Sequence, residues 1–78
     1  MKKLRKEIDN RDKEIMSLLD KRFEVVSSIK KYKEENDVSI EDITREKEIL
    51  LKINDYKNSD NIKRIYQTII TESKINQY

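Results

Sequence analysis

Residues 4–35, LRKEIDNRDKEIMSLLDKRFEVVSSIKKYKEE, decide the fold. Leu4, Ile8, Ile15, Leu18, Leu19, Val25, Val26 and Ile29 recur with the roughly 3.6-residue period of a helix face. The stretch predicts one long amphipathic helix. Two cations interrupt its apolar stripe. At about 100° per residue, Arg22 lies near the centre of the apolar arc, and Lys33 returns to within about 20° of it. Both face inward from the same stripe. Arg5 is rotated about 100° away, onto a flanking strip with Met16, Leu19 and Phe23. Arg11 falls on the buried arc, where an apolar side chain is expected.

Composition narrows the function. Seventy-eight residues make a single domain, 1–78, whose core is small and has no cysteine to staple it. The absence of cysteine and histidine removes the usual structural zinc site and the commonest general base, and no metal cluster is expected. The 18 basic residues are nearly matched by 16 acidic ones, and both signs alternate along the chain, which offers no basic field for nucleic acid. No apolar run approaches the length of a membrane span, and no signal-peptide core follows Met1. The expected compartment is the cytoplasm.

With neither glycine nor proline, breaks are read from caps and from loss of period. The pattern ends across Glu35 to Glu41. Asp42 is a good N-cap for a second helix, with Glu46 in its first turn, where negative charge suits the helix dipole. That helix is expected to reach about Tyr56, with Ile49, Leu50, Ile53 and Tyr56 on one face. Asn58 or Ser59 caps a third, which carries Ile62, Ile65, Tyr66, Ile69 and Ser73. Strand alternation is absent. The fold class is all-α, three helices, one long and two shorter.

The lengths call for a partner. A helix over residues 4–35 is about 48 Å long at 1.5 Å per residue, and the other two are each about half that. Folded back, they leave part of the long stripe bare, and soluble monomers avoid such patches. The simplest closed solution is a two-fold dimer whose long helices pack on each other. A plain dimeric bundle is the alternative, although Arg11, Arg22 and Lys33 break any strict heptad.

Polar residues also stand where the stripes of the shorter helices would run on. Asp42 and Glu46 share a side with Ile49 and Ile53, with Arg45 at the margin; Ser73 and Gln77 extend the Ile62, Tyr66 and Ile69 stripe. A lone arginine on an apolar arc commonly snorkels to solvent. Three clusters together suggest a polar pocket, because buried polar groups cost free energy unless paired. Guanidiniums, an ammonium, a hydroxyl, an amide and one or two carboxylates suit a small dianion carrying a hydroxyl. No activated nucleophile is present, so catalysis there would rest on binding and electrostatics.

These residues carry a resemblance. Leu4-Arg5, Ile8-Asp9, Asp12, Leu18-Leu19, Arg22, Tyr32-Lys33, Asp42-Ile43-Thr44-Arg45-Glu46, Ile69-Ile70, Glu72-Ser73 and Gln77, in this order and spacing, resemble the all-helical chorismate mutase family. The likeness spans nearly the whole chain. It implies an intertwined dimer with two equivalent sites, and the rearrangement of chorismate to prephenate in aromatic amino-acid biosynthesis, with no cofactor. By the same resemblance, Arg22 and the partner's Arg5 hold the substrate carboxylates. Lys33 contacts a carboxylate and the ether oxygen, and Gln77 donates to that oxygen. Ser73 helps hold the ring carboxylate. Glu46 accepts from the ring hydroxyl, helped by the backbone near Asp42, and Arg45 lines the ring side. Lys33, Gln77 and Arg22 are then the catalytic residues. Arg11, Lys30 and Ser39 depart from the residues usual in the family. Two alternatives share the fold: an isochorismate pyruvate lyase, and a non-catalytic or regulatory helical dimerisation domain.

Overall fold

A computed structural model describes residues 1–38 and 43–77. Three helices follow in order: α1, Lys2–Asn36; α2, Ile43–Ile53; and α3, Ser59–Ile75. The described residues contain no strand. The all-helical expectation holds, with one long and two shorter helices.

The 35-residue α1 sets the shape. The longest extent of the chain is 52 Å, about the length of 35 residues at 1.5 Å each. At its start the Arg5 amide bonds the Met1 carbonyl at 2.8 Å, without help from a capping side chain. At its end Asp37 turns left-handed, with φ 53° and ψ 45°. Its amide and that of Val38 both donate to the Lys33 carbonyl, satisfying acceptors that the helix leaves open. Aspartate tolerates this conformation better than most residues, and glycine better still. Asp37→Gly is therefore expected to stabilise the chain by about 0.5–1 kcal/mol, read as a rise in the thermal midpoint, whereas Asp37→Val lowers it.

Two boundaries differ from the sequence expectation. The second helix stops at Ile53 rather than near Tyr56. Tight turns replace its last part: the Asn54 amide bonds the Leu51 carbonyl at 3.1 Å, and the Tyr56 amide bonds the Ile53 carbonyl at 3.0 Å. Asn54 and Asp55, whose side chains compete for backbone partners, explain the early stop. Asn58 takes the N-cap position of α3, but its side chain makes no capping bond, and Ser59 is already helical. The expected cap at Asp42, and the loop around Ser39, lie outside the described residues.

Packing is uneven. The hairpin of α2 and α3 packs on itself and covers only the second half of α1. Residues 1–18 are exposed throughout, and burial on α1 begins at Leu19. The buried apolar core is Val26 and Ile53, with Ser73 as a buried polar neighbour. Leu4, Ile8, Ile15 and Leu18 stand more than half exposed. Arg11, expected on a buried arc, faces solvent in this exposed half and pairs with Glu14 one turn on, at 2.9 Å. The short helices do not reach that far, so no other described residue covers the arc there.

Candidate active site

A cleft of about 280 Å³ opens where the second half of α1 meets the hairpin, close to the lower end of small-ligand sites, roughly 300–1,000 Å³. From α1 it takes Arg22, Val25, Val26, Ile29 and Lys33. These positions repeat at three- and four-residue steps, one face of one helix. From α2 come Arg45, Glu46 and Ile49; from α3 and the turn after it come Ile70, Ser73, Lys74 and Gln77. Six residues expected to serve one ligand, Arg22, Lys33, Arg45, Glu46, Ser73 and Gln77, therefore line one cavity.

Arg22 joins α1 to α3. Its guanidinium donates to the Ser73 hydroxyl at 2.5 Å and lies over the Tyr66 ring, 5.8 Å from the centroid. Ser73 is buried, and its own hydroxyl hydrogen goes back to the Ile69 carbonyl at 2.7 Å. The direction of the pair is thus set, because a hydroxyl has one hydrogen to give and lone pairs to accept with. The aromatic face adds a cation–π contact that holds the charge in place. Arg22 spends one of its several N–H donors on Ser73, and the planar fork retains the geometry that grips a carboxylate.

Gln77 sits in the turn after α3. Its amide nitrogen donates to the Ser73 carbonyl at 3.3 Å. Its carbonyl oxygen Oε1 is buried and has no hydrogen-bond partner among the described residues. Half a turn of the terminal amide exchanges the two atoms, so this side chain presents either an acceptor or an N–H to the cleft. A buried amide oxygen without a partner costs about 1–3 kcal/mol, which a ligand that makes the missing bond, or the turn of the amide that its oxygen induces, returns as affinity.

Glu46, in the first turn of α2, meets Lys74, in the last turn of α3, at 2.6 Å. Both side chains are about a quarter exposed, at 24% and 29%. Arg45 stands further out, at the rim, and bonds the exposed Glu48 at 3.3 Å. Lys33 lines the cleft from the last turn of α1, and its carbonyl receives the amides that close that helix. The end of α1 and the cation at the site are therefore held together.

Two expected residues are not in this cavity. Asp42 lies outside the described residues. Arg5 lines a separate shallow depression with Met1, Leu4, Ile8 and Asp9. It lies 17 residues before Arg22, about 25 Å along the helix. Within one chain it does not reach the cleft, as the wheel anticipates. Lys74 also lines the cleft, although it stands outside the Ile62, Tyr66, Ile69, Ser73 and Gln77 stripe; its place four residues after Ile70 is the signal for it. Tyr66 is a stripe residue by its spacing, and its ring also positions Arg22. The only signal for that was its place on the same stripe.

The cleft thus gathers cations, one carboxylate, one buried hydroxyl and one amide on a helical frame. Comparison with known sequences narrows the class. The profile of the family described as chorismate mutase type II matches residues 4–78. The chain belongs to the chorismate mutase type II family, a family of isomerases. It is 41% identical, over 94% of its length, to the bifunctional chorismate mutase/prephenate dehydratase of Buchnera aphidicola subsp. Schizaphis graminum. The match covers 20% of that longer protein. No solved structure matches the chain.

Proposed function

We propose that this domain converts chorismate to prephenate. One ether C–O bond breaks as one C–C bond forms, and no atom enters or leaves. The reaction needs neither nucleophile nor proton transfer. It needs the enolpyruvyl arm held over the ring and charge stabilised on the ether oxygen. The observation that carries the reading is the convergence of Arg22, Lys33, Glu46, Ser73 and Gln77 from three helices on one cleft, in a chain whose family performs this rearrangement.

The roles follow the chemistry of each group. Arg22, already fixed by Ser73 and Tyr66, takes a substrate carboxylate bidentately. Ser73 helps hold the ring carboxylate. Lys33 reaches a carboxylate and the ether oxygen, and Gln77 turns its amide N–H to the same oxygen. Glu46 accepts from the ring hydroxyl, helped by the backbone near Asp42. Arg45, at the rim, guards the ring side. Restraint of the arm lowers an entropic barrier. Lys33 and Gln77 add stabilisation that is larger in the transition state than in the ground state.

The working unit on this reading is a homodimer in which Arg5 serves the partner's site. Its support is the bare half of α1, where Leu4, Ile8, Ile15 and Leu18 stand exposed beyond the reach of α2 and α3. A core this small gains the missing burial from a second copy. No described helix is long and apolar enough to cross a membrane, and the expected setting is the cytoplasm.

The first test follows chorismate absorbance in the presence of the purified chain, without added metal. Loss above the spontaneous rate, with prephenate as product, is expected. A folded dimer that leaves the spontaneous rate unchanged overturns the reading. The shared site has its own test. Arg5→Ala and Arg22→Ala chains are each expected to be inactive. Mixed in equal amounts they form heterodimers with one intact site, restoring roughly a quarter of wild-type turnover. No recovery, with subunit exchange confirmed, counts against a site built from two chains.

A further inference from the structure

Lys74, which pairs with Glu46, has no part in the roles assigned above. The pair bridges the first turn of α2 and the last turn of α3, at the wall of the cleft. Each charge offsets the dipole of its own helix end: the carboxylate at an N-terminus, the ammonium at a C-terminus. The antiparallel hairpin brings those two ends together, so the helix-end preferences and the pairing act in the same direction. Nζ meets Oε1 at 2.6 Å, a close contact of opposite charges. Both side chains are about three-quarters shielded from water, which distinguishes the pair from the exposed Arg11–Glu14 and Arg45–Glu48 pairs.

We infer that Lys74 is a positioning residue for substrate binding: it holds the Glu46 carboxylate as the acceptor for the ring hydroxyl. The inference rests on the reading of the cleft as a chorismate site. A carboxylate has lone pairs on two oxygens, so pairing with an ammonium leaves capacity to accept from a hydroxyl. An unheld glutamate has several rotatable bonds and loses that freedom on each binding event. Lys74 orders it beforehand. It also offsets a negative charge that would otherwise face a dianion.

The test is a double-mutant cycle read in KM and kcat for chorismate. Lys74→Met keeps the apolar stem and removes the charge. It is expected to raise KM about fivefold or more, with kcat changed less than about twofold, the signature of lost binding common to ground and transition states. Lys74→Arg restores a cation and is expected to bring KM back toward wild type. In a Glu46→Gln background, Lys74→Met is expected to change KM by less than about twofold, because the charge it acts through is gone. Helicity and thermal midpoint are measured on every variant, and Lys74→Gln replaces the methionine variant in the cycle if that chain does not fold. An unchanged KM in Lys74→Met overturns the inference alone. The same rise in KM in both backgrounds also overturns it, because Lys74 then acts on the substrate directly. Failure of Lys74→Arg to recover KM has the same consequence. Absence of wild-type turnover overturns the chorismate reading and this inference with it.

Discussion

Arg22→Ala is expected to lower kcat/KM for chorismate by roughly 10²–10³-fold or more while the chain remains helical. The guanidinium is half-buried, bonded to the Ser73 hydroxyl at 2.5 Å and held over Tyr66. Its removal takes away the charge that grips a carboxylate. It also leaves the buried Ser73 oxygen without its donor. The second effect is structural and costs about 1–3 kcal/mol at most. The two are separable. Arg22→Met fills the space over Tyr66 without a charge, and Arg22→Lys keeps the charge but loses the planar fork. The methionine variant is expected to be as inactive as the alanine variant, and the lysine variant to keep a small fraction of turnover. Circular dichroism and sedimentation report whether the fold survives. Full activity in Arg22→Met with wild-type stability would reduce Arg22 to a packing residue and remove the main support for the chorismate site.

Lys33→Ala is the second large effect. Lys33 is three turns along the same face from Arg22, and both line the cleft. Its proposed role differs in kind. Arg22 binds charge that the substrate carries throughout, whereas Lys33 also meets an ether oxygen whose charge grows as the bond breaks. Loss of Lys33 is therefore expected to fall mainly on kcat, by about 10²–10³-fold. The backbone carbonyl of Lys33 closes α1 whatever the side chain, so the helix end is expected to survive the substitution. A change confined to KM would place Lys33 on a carboxylate only.

These two residues were legible because a helix converts spacing into direction. Eleven residues at about 100° each bring Arg22 and Lys33 to one face, whatever surrounds them. The same rule set Glu46 with Ile49, and Ser73 with Gln77, on the inner faces of α2 and α3. It also separated Arg5 from the others. Caps and local competition were harder to read. Asn54 and Asp55 ended α2 early, and Asn58 took a cap position without making a cap bond. Such outcomes depend on side-chain geometry at a few atoms, which a residue type alone does not specify.

The sequence by itself determined three helices, the length of α1 that leaves half of it bare, and the shared facing of Arg22 with Lys33, because all of these follow from helical period and chain length. Tertiary structure alone decided which groups meet. The Arg22–Ser73 bond, the Tyr66 face beneath the cation and the Glu46–Lys74 pair join residues on different helices. Their contact depends on the axial offset between packed helices, and that offset is a product of side-chain interdigitation across the whole hairpin rather than of any local pattern.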